Sequence, residues 1–213
     1  MPAAIRPTSR YGTPGNCQTA TIVLMRIYTR KGDTGTTGLL YGGDRISKAD
    51  LRTDAYGTTD EAVSALGMAR AAIGAITDRT EARLDELIVR LQRELFVVGA
   101  ELATHVDRRD RLSDGTTRVT AAMVTALERE IDDLETMVEQ PKEFVLPGES
   151  LTGAALDLAR TTVRRAERRS VALAEGGGLP DSQVLAYLNR LADLLFVMAR
   201  AADGGYLPAR TGT

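Results

Sequence analysis

Tryptophan is missing from the 213 residues, cysteine and histidine occur once each, as Cys17 and His105, and there are only three phenylalanines. One cysteine excludes an intrachain disulfide and any cysteine-built metal cluster. It also fits a reducing, cytoplasmic setting. One histidine excludes His-rich metal sites and paired histidine relays. No apolar run approaches the roughly 18 residues that a membrane span requires. A dominant charge is lacking too: 27 basic and 29 acidic side chains leave a formal net charge of -2. That balance argues against a nucleic-acid domain, which is usually clearly basic, while leaving room for local basic patches.

What remains is the composition of an ordinary soluble domain, 43% apolar and 26% charged. Its length suits one domain with a sizeable core. Ala, Leu, Arg and Glu dominate, and all four are good helix formers. Residues 1–24, with Pro2, Pro7, Pro14, Gly12 and Gly15, read as a disordered leader or a start assigned too early, with Met25 opening the domain proper. Domain boundaries of 25–203 follow, with 204–213 as a flexible tail.

Residues 29–48, rich in Gly, Thr and Asp, are expected to form an ordered loop, with a very short strand at Ile27-Tyr28. Helical periodicity begins near Asp54, carried by Ala62, Val63, Leu66 and Ile73. Asp78 and Glu81 resemble a capping box ahead of the clearest amphipathic stripe, Leu84, Leu87, Leu91, Leu95, Val98 and Leu102. A third helix is expected over Val119–Glu139, with Met123, Leu127, Ile131, Leu134 and Val138 inward. Ser150 should cap a fourth over Leu151–Ala174. Pro180 and Asp181 should open a fifth, which runs to Gly204. The expected fold is therefore all-α, an antiparallel five-helix bundle of a four-helix core plus one, with an ordered N-terminal Gly/Thr-rich loop.

Three clusters could carry chemistry. In the loop Thr29–Gly38, closely spaced glycines and threonines let N–H groups and hydroxyls converge on an anion, with Arg30, Lys31 and Lys48 adding charge; the alternative is a flexible arm. It is neither a Walker nor a Rossmann motif. Arg160, Arg164 and Arg168 lie four apart and share a helix face. With Arg165 and Arg169 they form a cluster against which Glu167 is the one nearby counter-charge, suited to polyphosphate or simply a solvated face. Asn189 and Asp193 interrupt an apolar helix, to bond a ligand or, the favoured reading, another helix. Asp60 and Glu61 read as acidic residues near a helix start, where the dipole favours them. Phe144 could plug a pocket or anchor its loop. His105 reads as a capping or surface residue, and Cys17 is assigned no role.

Taken in order, five segments resemble the PduO-type ATP:cob(I)alamin adenosyltransferases. They are Ile27–Gly35, Gly57–Glu61, Phe144–Gly148, Arg160–Arg168 and Tyr187–Asp193, within a match from about Arg26 to Ala202. The resemblance implies transfer of the 5′-deoxyadenosyl group of ATP to the cobalt of cob(I)alamin, giving adenosylcobalamin and triphosphate, by a cytoplasmic homotrimer with active sites between subunits. It implies ATP contacts from Thr29, Arg30, Lys31, Gly32, Thr36, Thr37, Lys48, Arg164, Arg165, Glu167, Arg168 and Asn189. Mg²⁺ would be carried mainly by the ATP phosphates, with no metal site of the protein's own. Asp60 and Arg160 would pair across the subunit boundary, Arg164 would support the leaving group, and Phe144 would sit beneath the corrin, easing reduction of cob(II)alamin. Arg30 stands where the family often has lysine, which exchanges a point charge for a fork. A reductase and an adenosylcobalamin-dependent mutase are implied partners; nucleic acid and membrane are not. Cob(I)alamin is itself the nucleophile, so such a reaction requires no activated Ser, Cys or His. The rival readings are a nucleotide-binding regulator or corrinoid carrier without turnover, and a bundle whose arginine helix meets RNA or an acidic partner.

Overall fold

A computed structural model describes residues 28–139 and 141–210. The expectations for the leader, for Cys17, for Met25 as a start and for Ile27 in a strand lie outside those residues; Tyr28 is not in a strand.

Among the described residues five α-helices make the framework: α1 (Leu51–Ile73), α2 (Arg79–Leu102), α3 (Ala121–Glu135), α4 (Leu151–Glu175) and α5 (Val184–Asp203). Local chemistry starts four of them. The side chains of Asp50, Asp78, Thr120 and Ser150 each accept a hydrogen bond from a first-turn N–H, worth about 1 kcal/mol per cap. Glu81 reaches back to the N–H and hydroxyl of Thr77, at 2.7 and 2.8 Å. Its carboxyl is lowered from its ordinary value, first by the Thr77 backbone bond and then by the Thr77 hydroxyl.

Interhelical pairs run in opposite numerical order, which fixes antiparallel packing. Asp54 and Glu61 of α1 meet Arg169 and Arg165 of α4. Asp157 and Glu167 of α4 meet Arg200 and Asn189 of α5. The most extensive packing is between α1 and α4. There small residues, Ala55, Ala62, Ala65 and Ala69 on one helix and Ala159 and Ala166 on the other, are all buried. α5 is the central helix, touching α2, α3 and α4, and its Tyr187, Leu188, Leu191, Leu195 and Met198 are fully buried. α3 packs chiefly on α5, so the arrangement is a four-helix core with one helix added.

Several boundaries differ from the sequence reading. α1 starts at Leu51 because Asp50 caps it, which puts Asp60 and Glu61 in its third turn, beyond the reach of the N-terminal dipole. α3 stops at Glu135, where the Thr136 hydroxyl donates to the Asp133 carbonyl. α5 opens only at Val184, because Asp181 has φ +48° and the Ser182 hydroxyl both accepts from Val184 N–H and donates to Glu101. The glycine loop contains a minimal hairpin, β1 (Thr36–Thr37) against β2 (Ile46–Ser47). The segment expected to be a tail carries β4 (Leu207–Pro208), paired with β3 (Val145–Leu146). Its Ala209 N–H donates to the Phe144 carbonyl at 2.7 Å.

Two buried polar assemblies tie the ends of the bundle. At the end holding the start of α1, Arg52 is 5% exposed and donates to the carbonyls of Leu102, Thr104 and Gly178, all at 2.7 Å. Beside it Glu101, fully buried, accepts from Arg109, Val119 N–H and Ser182, also at 2.7 Å. At the opposite end Ser150, Asp203, Arg200 and Asp157 form a chain of hydrogen bonds.

Candidate active site

The hairpin is organised by a residue that the motif reading missed. Arg45 donates from Nε to the Thr36 hydroxyl at 3.0 Å, and from Nη2 to the carbonyls of Lys31 and Thr36 at 2.9 and 2.8 Å. Its fork thereby fixes the curl of residues 31–36. Arg30 has φ +59° and Gly35 φ +80°, left-handed geometry that glycine tolerates without strain. A Cβ at Gly32 would stand 3.1 Å from Lys48 Nζ, so the bare glycine lets that ammonium lie over the loop backbone. Thr29, Arg30, Lys31 and Lys48 are exposed, and Gly32, Thr36 and Thr37 half-buried. The loop hangs from the end of α2 through Leu40 N–H, which donates to the Ala103 carbonyl at 2.9 Å. Its charge could have been found from Arg45, which follows the run Gly42-Gly43-Asp44.

On α4 the arginines separate into two sets. Arg165 and Arg169 are neutralised by Glu61 and Asp54 of α1. Arg160 donates to Asp157 at 3.1 Å. Arg164 and Arg168 have no carboxylate partner among the described residues; Arg168 donates instead to the Arg164 carbonyl at 3.0 Å. Arg160 and Arg164 line an open cleft of about 700 Å³ between α3, α4 and α5, with Arg190, Phe196, Glu128, Asp132 and Asp193 also on its walls. Arg190 donates to Glu128 at 3.2 Å and Asp193 at 2.8 Å, and these carboxylates, Glu128 first, raise its pKa. Asn189 donates to Glu167 at 3.1 Å across α4 and α5, the interhelical bond favoured for it. Asp193 bonds within its own helix, to Arg190. Sequence spacing could not find Glu128 and Asp132, because α3 reaches the cleft only by tertiary packing, nor Arg190 of α5, whose partner Glu128 comes from α3.

The other candidates stand apart. Asp60 points away from the α4 arginines, about 100° round α1 from Glu61, and borders an apolar hollow of about 340 Å³ walled by Leu40, Tyr56, Val63 and Phe96. Phe144 is 85% exposed, at the end of the bundle where α4 begins. The hairpin is at the other end, where α4 stops; the 25 residues of α4 put the two about 37 Å apart along the helix axis. Among the described residues, no hydrogen bond or ion pair joins the hairpin to Arg160, Arg164 or Arg168. His105 caps the short 3-10 helix Val106–Arg111, accepting from Asp107 N–H at 3.3 Å. No group of three or more His, Cys, Asp or Glu is placed to hold a metal among the described residues. No described helix is long and apolar enough to cross a membrane.

Fold and site together define a helical-bundle protein with two arginines of α4, Arg164 and Arg168, left without a carboxylate partner among the described residues, and a glycine–threonine hairpin. The chain belongs to the cobalamin adenosyltransferase family, whose model matches residues 27–202. It is 43% identical over 180 residues to a corrinoid adenosyltransferase of Citrobacter freundii, covering 84% of this chain and 96% of the relative. It is 40% identical over 186 residues to a corrinoid adenosyltransferase of Mycobacterium leprae, covering 86% and 94%. Among solved structures it is similar to a histidine-for-phenylalanine variant of a PduO-type ATP:corrinoid adenosyltransferase from Lactobacillus reuteri, complexed with cobalamin and ATP. There the TM-score is 0.76 and the identity 32%, covering 87% of this chain and 97% of that one.

Proposed function

We propose that this protein transfers the 5′-deoxyadenosyl group of ATP to the cobalt of cob(I)alamin, releasing triphosphate. The observation that carries the reading is the pair Arg164 and Arg168, left without carboxylates on the helix whose other arginines are neutralised. The Co–C bond forms as the C5′–O bond of ATP breaks, and the electron pair leaves on triphosphate. The protein's task is then to orient ATP and stabilise charge on the leaving group, by positioning and electrostatics. Arg164 supports that group, with Arg165, Glu167, Arg168 and Asn189 around the nucleotide. Thr29, Arg30, Lys31, Gly32, Thr36, Thr37 and Lys48 hold it from the hairpin. Mg²⁺ carried in with ATP would neutralise charge on the leaving group, and no side chain of this chain is assigned to hold it.

We further propose a cytoplasmic homotrimer with each active site assembled between copies. The axial separation of Phe144 from the hairpin supports this, since one chain cannot bring both to a single ATP–corrinoid pair. Asp60, free of any ion pair among the described residues and bordered by apolar side chains, would meet Arg160 of a neighbouring copy. Phe144, exposed and held by the β3–β4 pairing behind it, would lie under the corrin. A reductase supplying the electron and a mutase receiving the product complete the proposed setting.

Anaerobic incubation with ATP, Mg²⁺ and chemically reduced cobalamin tests the reaction. Adenosylcobalamin with equimolar triphosphate is the expected outcome. Binding of ATP and corrinoid without product would replace this reading with that of a carrier.

A further inference from the structure

Arg160 does not choose its own orientation. Its Nε donates to Asp157 Oδ1 at 3.1 Å, and its guanidinium lies 5.8 Å from the centre of the Phe196 ring. Asp157 is 4% exposed, and its other oxygen accepts from Arg200 Nη2 at 2.6 Å. Arg200 is 1% exposed, stacks on the same Phe196 ring at 5.3 Å and donates to Asp203 Oδ2 at 3.0 Å. Asp203 Oδ1 accepts from the Ser150 hydroxyl at 2.7 Å, and Ser150 caps α4. Gly153 keeps the path open, for a Cβ there would collide with the Asp203 carboxylate. The two arginines, Arg160 and Arg200, and the two aspartates cancel in charge, and of these four only Arg160 lines the cleft.

We infer that Asp157 is a positioning residue for adenosyl transfer, acting through Arg160 and itself held by the buried Arg200–Asp203–Ser150 chain. With Nε occupied and one face of the guanidinium against Phe196, the two terminal nitrogens of Arg160 have no partner among the described residues. They are presented beside Arg164 on the cleft wall. A planar fork anchored at Nε retains few orientations, which lowers the cost of each bond its terminal nitrogens form. Asp157 touches neither substrate, so its effect passes wholly through Arg160. The inference rests on the proposed role of Arg160 at the active site.

A double-mutant cycle with Arg160→Ala tests it, by steady-state adenosylation and by the NMR signal of the Arg160 side-chain Nε–H. Misplacement of a reacting group by about 1 Å costs up to about 100-fold; Asp157→Asn should therefore lower kcat/KM by about 10- to 100-fold, mainly through kcat. In the Arg160→Ala background the same change should add less than about twofold. The Arg160 Nε–H should be protected from exchange in the parent and lose that protection in Asp157→Asn. Equal losses in both backgrounds would overturn the inference, as would protection that survives in Asp157→Asn. An inactive-site failure reads differently: Arg160→Ala at full activity removes the role of Arg160, whereas the exchange result still reports on the anchor. Should Asp157→Asn not fold, Asp157→Leu/Arg200→Met/Asp203→Asn removes the buried charge together, a replacement proteins often tolerate, and enters the same cycle.

Discussion

Arg52 joins three chain segments with one side chain, and its loss should be felt at a distance. The guanidinium bonds the last carbonyl of α2, the Thr104 carbonyl and the Gly178 carbonyl. A hydrogen bond from a charged donor contributes about 1.5–3 kcal/mol, so three set an upper bound of roughly 5–9 kcal/mol. Burial works against them: desolvation, the largest influence, lowers the arginine's pKa, and it costs several kcal/mol for an ion. Arg52→Met should therefore destabilise by about 3–5 kcal/mol, the range for breaking a buried ionic contact. For a domain of this size that is about 6–20 °C in Tm, read by circular dichroism at constant protein concentration. The hairpin hangs from the same turn, through Leu40 on Ala103, so KM for ATP should rise more than kcat falls. Arg52→Lys should recover only part, since a single ammonium cannot span three carbonyls in that arrangement. A Tm within about 2 °C of the parent for Arg52→Met would show that the three carbonyls find other donors, and the argument would fail.

Gly153→Ala should destabilise by about 1–3 kcal/mol, typical of overpacking, because its Cβ would collide with Asp203; an unchanged denaturation midpoint would refute the close approach. Tyr187 donates to Glu94 at 2.7 Å, and its pKa is raised well above the ordinary 10.0, by burial first and then by Glu94. Because the folded value is the higher one, this contribution is complete below pH 10 and is lost as pH rises through the folded pKa. Tyr187→Phe should show a shallower alkaline loss of stability. Glu81 behaves oppositely: its folded pKa is lowered from 4.5, so its contribution is present above that value and fades as pH falls. Glu81→Gln should flatten the acid limb of a pH–Tm curve. Phe144→Ala should leave Tm within about 2 °C, as for an exposed side chain, yet slow product formation from cob(II)alamin far more than from pre-reduced cob(I)alamin; equal slowing of both would remove Phe144 from the reduction step.

Each helix in this chain was legible where its own side chains cap it or repeat along it. Asp78 with Glu81, Ser150, and the α2 leucines announce their elements because those signals are local. Among the ends that differ, α1 and α3 follow local signals, the Asp50 cap and the Thr136 hydroxyl, whereas α5 opens late for a tertiary reason, because Ser182 is engaged by Glu101 from a distant helix. Residues of the hairpin and of the α4 stripe were identifiable by type and spacing, but their partners were not. Glu61 looked like a helix-start residue and is the counter-ion of Arg165. Arg165 and Arg169 looked like members of one basic cluster and are neutralised by α1.

Propensity, capping and period are properties of neighbours along the chain, and they were enough to read a predominantly helical fold, the order of its helices, and the residue types that could meet a polyphosphate. Which arginines stay without a carboxylate partner is a matter of helix packing. Neutralisation depends on which carboxylates a second helix brings within about 4 Å, where charges couple strongly, and that is set by the pairing of α1 with α4 and α3 with α5. The same packing put the hairpin and Phe144 at opposite ends of one bundle, a distance no local signal encodes.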